Sequence, residues 1–230
     1  MKERPILFST DMVRALLAGK KTQTRRLTGL ELMNEAPNSW ASIGIKSDNG
    51  ILKQVFFKNG KYTAVKCPYG EPGDILWVRE RFARYEKVPM YGSISGYLYA
   101  DGTQNYPSDA LVLPGNGYIP YAVKWRPSIH MPKEAARIYL QVTDRRVDRI
   151  QDIIENDAIA EGINEVMGGY QNYTALYRDA LNPIHSFKSL IEKIHGKELW
   201  LQNPWVWVVS FRMLSTTGKP DKFPLLCEVL

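Results

Sequence analysis

The run Trp205-Val206-Trp207-Val208-Val209 is apolar at every position. A strand built from it must be covered on both faces, which demands a central place in a sheet with packing layers on either side. Other segments supply partners. Ile6-Leu7-Phe8 starts a strand, and Ile75-Leu76-Trp77-Val78 follows the turn Pro72-Gly73-Asp74. Ile138, Leu140 and Val142 alternate with Tyr139, Gln141 and Thr143, the pattern of a half-buried strand. Leu52 to Phe57 and Tyr62 to Val65 flank Asn59-Gly60, a hairpin signal.

Helices are fewer. Ser9 or Thr10 offers an N-cap to a helix with Met12, Val13, Leu16 and Leu17 at helical spacing, ended by Gly19. Asp152 and Glu155 resemble a capping box for a short helix stopping at Gly162. Residues 176–194 read as largely helical, with Pro183 breaking or starting a piece. Many strands with few helices predict an α+β fold around a small barrel or strongly bent sheet. Residues 31–65 and 85–120 read as insertions, with 31–50 a polar loop, and residues 215–230 as a mobile C-terminal tail.

With 230 residues the chain can bury a sizeable core without staples. Two cysteines without a C-x-x-C pair, and no secretory or membrane-length apolar run, fit a reducing cytoplasmic setting and no membrane partner. His130, His185 and His195 share no metal-ligand spacing with either cysteine, so no metal site is expected. Phosphate-loop, dinucleotide and serine-elbow motifs are missing, and no cofactor is expected. The net charge of +6 favours polyanions. Residues 1–30 hold seven Lys or Arg against two acids, and residues 124–150 seven against three.

The chemistry concentrates in Gly19-Lys20-Lys21-Thr22-Gln23-Thr24-Arg25-Arg26, where four of eight side chains are cationic. A guanidinium at Arg26 offers a planar fork to phosphate or a base edge; Lys21 adds an ammonium and Thr24 a hydroxyl. On composition alone the same residues make a solvated basic helix end. Trp125, Arg126, Ser128 and His130 form a second mixed aromatic and polar segment that can stack on a base, or simply pack a loop. Trp77, Trp205 and Trp207 read as core, Cys67 as a small buried hydrophobe, and Glu80 as solvated.

The pattern G-x-K-x-x-T-x-R, carried by Gly19, Lys21, Thr24 and Arg26, resembles the signature of ASCH domains, small β-barrels of the PUA-like superfamily. Residues 73–80, Ala158-Ile159-Ala160-Glu161-Gly162, and Asn203-Pro204-Trp205-Val206-Trp207-Val208 with Phe211 are similar to later family segments in the same order. Residues 125–132 resemble a phage and prophage branch. The resemblance implies a PUA-like barrel with short flanking helices over residues 1–214. It also implies RNA or a modified nucleoside or nucleotide as partner, in a cleft formed by Gly19, Lys21, Thr24 and Arg26. Some small members resemble amidohydrolases acting on N4-acetylcytidine, which puts catalytic roles on Lys21, Thr24 and Glu161. A metal-independent ribonuclease and a phage-encoded protein-interaction module are the other readings.

Overall fold

A computed structural model describes residues 1–87, 94–101, 104–105, 124–175 and 179–224. Its elements run β1 (Glu3–Leu7), α1 (Thr10–Leu17), β2 (Gln23–Arg26), α2 (Glu31–Asn34), β3 (Ala41–Asp48), β4 (Ile51–Lys58) and β5 (Lys61–Lys66). Then come β6 (Ile75–Arg79), β7 (Phe82–Lys87), β8 (Ile94–Tyr99), β9 (Gln104–Asn105) and β10 (Tyr139–Arg149). The chain continues through α3 (Glu155–Ala160), β11 (Glu165–Val166), β12 (Gly169–Tyr170), α4 (Pro183–His195), α5 (Lys197–Gln202) and β13 (Trp205–Ser215). The fold is α+β, dominated by sheets.

The main sheet has the order β1-β6-β10-β13-β2. The fully apolar β13 sits between β10 and β2, as its composition demands. Trp207, Val209 and Phe211 face one core with Phe8, Val13, Leu16 and Leu140, while Val206 and Val208 face another with Ile153, Ala158 and Phe187. Alternating residues of one strand thus bury two faces, one under α1 and one under α3 and α4. β1 and β6 pair in parallel, with Leu7 opposite Arg79. A register shift in β10 between Val142 and Asp144 bends the sheet.

The five strands do not close into a barrel. Their order leaves β1 and β2 as the two edges, and the link between them is a side chain: the Arg26 guanidinium donates to the Leu7 carbonyl at 2.7 Å.

Several elements differ from the periodicity reading. Residues 41–48 are a strand rather than loop, forming the sheet β3-β4-β5. This region is not a loose appendage, since Phe56 is fully buried and meets the Trp205 ring edge-on at 5.3 Å. Strand β10 is buried on both faces around Tyr139 and Gln141, not half-buried. The extra cover comes from residues 216–224, expected as mobile: Gly218 donates to the Arg137 carbonyl at 2.9 Å, Gln141 to the Pro224 carbonyl at 2.9 Å, and Phe223 packs 6.2 Å from the Tyr139 ring. Helix α3 has Ile154 as N-cap without a side-chain bond, because Asp152 lies in the preceding 3-10 turn. Pro183 opens α4, capped by Asn182. Residues 225–230, including Cys227, and most of 85–120 lie outside the described residues.

Candidate functional site

The basic octet enters the fold through a tight turn. Gly19 ends α1 with φ of 70°, and the Lys20 and Lys21 amides both donate to the Ala15 carbonyl. Lys21 then bridges Glu161 in antiparallel fashion, and Thr22 donates to the Ala160 carbonyl at 2.9 Å. Gly162 makes this approach feasible. A Cβ there would lie 2.8 Å from Lys21 Cβ and 2.9 Å from Ala15 Cβ, and its φ is 82°.

The Lys21 ammonium is sealed inside and all three donors are used: Glu161 Oε2 at 2.8 Å, the Glu161 carbonyl at 2.7 Å and the Gln23 carbonyl at 2.9 Å. Burial pulls its pKa below the ordinary lysine value, with Glu161 opposing the shift. Arg25 extends the network, reaching Glu161 Oε1 at 3.3 Å and Asp157 Oδ2 at 2.8 Å. Burial alone would raise Asp157; hydrogen bonding from Arg25 and the charges of Arg25 and Arg146 overcome it and hold the carboxyl below its ordinary value. Thr24, paired with Val209 across β2 and β13, is buried and makes no hydrogen bond to Lys21 or Glu161 among the described residues.

The octet's cations therefore divide. Lys21 and Arg25 are neutralised by Glu161 and Asp157, and Lys20 is exposed. Arg26 forms no ion pair among the described residues. Its guanidinium lies 5.1 Å over the Phe8 ring and donates only to the Leu7 carbonyl, and its buried Nε finds no acceptor among the described residues.

Arg26 lines a cleft of about 420 Å³ between the sheet's edges, walled by Leu7 of β1, Thr28 after β2, Tyr69, Arg79 at the end of β6, His195 of α4 and Leu199 of α5. Among the described residues neither Asp nor Glu lines it. Arg79, like Arg26, bonds only to neutral groups, the carbonyls of Ile129 and Met131. Burial first, and the charge of Arg26 second, push the His195 imidazole below its ordinary pKa. The cleft thus presents Arg26 and Arg79, which have no carboxylate partner among the described residues, beside the Tyr69 ring, with Arg25, paired to Glu161 and Asp157, also on its lining.

Of the expected residues, Arg26 lines this cleft; Gly19 shapes the turn, and Lys21, Thr24 and Glu161 lie beneath in the interior. Trp125, Arg126, Ser128 and His130 do not line it. Arg126 pairs with Phe82 through both backbone bonds, Trp125 carries Arg81 5.6 Å over its ring, and Ser128–His130 is an exposed 3-10 turn. The segment meets the cleft only through Arg79, which holds its carbonyls. Glu80, expected in solvent, is buried in a two-bond pair with Arg137 at 2.9 and 2.8 Å. Cys67 is fully buried, and burial pushes its thiol up to about 11.

Tyr69, Arg79 and His195 were not marked as site residues by any sequence motif. They converge through the parallel β1–β6 pairing and the packing of α4, which join segments far apart in the chain. Comparison of the chain with protein families, curated proteins and solved structures gave no match. Among the described residues no helix is long and apolar enough to cross a membrane.

Proposed function

We propose that the chain is a PUA-like protein of the ASCH type that binds RNA or a modified nucleoside or nucleotide in the cleft between β1 and β2. The bent five-stranded sheet, bridged at its edges by Arg26, is read as a PUA-like barrel left open at one seam. One observation carries the reading: Arg26, the last residue of the basic motif, is buried without a carboxylate partner among the described residues, and it faces a cleft of about 420 Å³ whose described lining holds no acidic side chain. Small-ligand sites run from about 300 to 1,000 Å³, with a few directed polar groups on an apolar lining. Ile6, Leu7 and Val206 supply the apolar lining here, Tyr69 a stacking face, and Arg26 and Arg79 the directed donors.

In this reading Lys21, Glu161, Arg25 and Asp157 are support. Deacylation by Lys21 and Thr24 would require Lys21 to take the Thr24 proton, yet its three donors are satisfied and it is shut from the cleft. The network holds β2 so that Arg26 projects into the opening. Cytidine 5′-monophosphate titrated calorimetrically tests the site. Arg26→Gln weakens binding by about tenfold or more, the scale of one charge-assisted hydrogen bond. Equal affinity in a folded Arg26→Gln variant overturns the site.

A further inference from the structure

The sheet β3-β4-β5 carries a charge pattern that the cleft does not explain. In register, Lys46 lies opposite Lys53, and Lys53 opposite Lys66. Strands lie about 5 Å apart, so three ammonium groups form one row across three strands. Strand alternation puts this row on the face away from the core, because Phe56 and Val65, of opposite parity, pack inward. Like charges placed directly opposite are unfavourable in a sheet. One acid relieves the row: Asp48, bonded to Lys53 at 2.7 Å. Lys46 and Lys66 have no carboxylate partner among the described residues. Residues 41–66 hold five lysines and one acid, so they carry +4 of the chain's +6.

Two rows along the same face, about 13 Å away at 3.3–3.4 Å per residue, stand Phe57 and Tyr62, also in register. Their ring centroids are 5.1 Å apart, and Tyr62 is 71% exposed. Gly44, Val55 and Ala64 lie between, leaving a shallow trough from the lysine row to the aromatic pair. Cations that follow a backbone beside rings that stack on bases are the two components of single-strand recognition. Lys66 ends β5 three residues before Tyr69 of the cleft wall, a chain reach of at most about 11 Å.

We infer that the outer face of β3-β4-β5 is a binding platform for single-stranded RNA, with Lys46, Lys53 and Lys66 on phosphates and Tyr62 with Phe57 stacking on bases. It stands on the sheet's own charges and rings and does not require the cleft to bind a nucleotide. The probe is a fluorescein-labelled, mixed-sequence RNA of about 12 nucleotides, followed by anisotropy over a salt series. The Lys46→Gln, Lys53→Gln, Lys66→Gln variant weakens binding by about tenfold or more and reduces the slope of log K against log salt by about 2, at about 0.7 per single-strand phosphate. Replacing the same three lysines by Arg restores both. Tyr62→Ala weakens binding about tenfold with the slope unchanged. If the triple variant does not fold, Lys46→Gln alone, at an exposed edge position, loses about 0.7 of slope. Unchanged affinity and slope, or wild-type preference for duplex RNA or for phosphatidylserine vesicles over the single strand, overturns the platform. Cytidine 5′-monophosphate binding is unaffected by the lysine changes, so failure of the cleft and failure of the platform are read separately.

Discussion

Lys21 puts an ammonium in the interior with three acceptors around it, and Glu161 shares its other oxygen with Arg25. Breaking one side of such a pair leaves a buried charge uncompensated. Lys21→Ala therefore costs about 3 kcal/mol in urea unfolding, even though Arg25 still reaches Glu161. A loss below about 1 kcal/mol would mean the network is dispensable. His195 is the titratable residue of the cleft. Burial, then Arg26, hold its pKa below the ordinary 6.5, with Arg25, Tyr69 and Arg79 on the same lining. The unfolded chain then binds a proton that the folded chain does not. His195 thus contributes stability that is present above about pH 6.5 and is lost as pH falls through the folded pKa. His195→Gln flattens the stability profile between about pH 7 and pH 5, measured by urea midpoints; an unchanged slope contradicts the environment assigned to it.

Elements formed where local chemistry and packing agree. The Asn59-Gly60 turn, with φ of 48° and 78°, closes the hairpin its sequence announces, and the five apolar residues from Trp205 begin a strand with neighbours on both sides. The sequence of β3 reads as loop because the alternating Ala41, Ile43 and Ile45 are few, exposed, and set among polar and turn residues from Pro37 to Gly50. Its partner β4 decides its conformation, and the lysine row became visible only through that register. Tyr139 and Gln141 read as outward residues because the cover over them comes from residues far later in the chain; Gln141 is satisfied by Pro224, 83 positions on, and by Arg212, 71 positions on, at 2.9 and 2.6 Å. The end of α3 was legible as a stop at Gly162, but not its reason. The residue leaves room for Lys21 and Ala15 while adopting a left-handed φ. Gly162→Ala combines that clash with backbone strain and destabilises by about 2 kcal/mol or more, checked by thermal and urea unfolding. A neutral substitution there would show that the α1–α3 contact gives way easily.

At the scale of the molecule, an open five-stranded sheet leaves a seam, and two guanidiniums without a carboxylate partner among the described residues, those of Arg26 and Arg79, line it. The motif residues were legible as a group, yet their division was not: the positions of Glu161 and Asp157 decide that Lys21 and Arg25 are neutralised, while Arg26, on the same cleft lining as Arg25, has no carboxylate partner among the described residues. Arg79 and His195 join it through pairings that local sequence does not encode. The resulting surface has a compact cationic cleft and, beyond Tyr69, a lysine-bearing sheet. Nucleotide binding in the cleft is tested most directly by a nitrogen-15 NMR titration with cytidine 5′-monophosphate, following arginine Nε–H signals. Saturable shifts are expected at Arg26 and Arg79 and at the backbone amides of Leu7 and Thr28, with Arg145 and Arg212 unmoved. Shifts that spare Arg26, or none at any nucleotide concentration, contradict it.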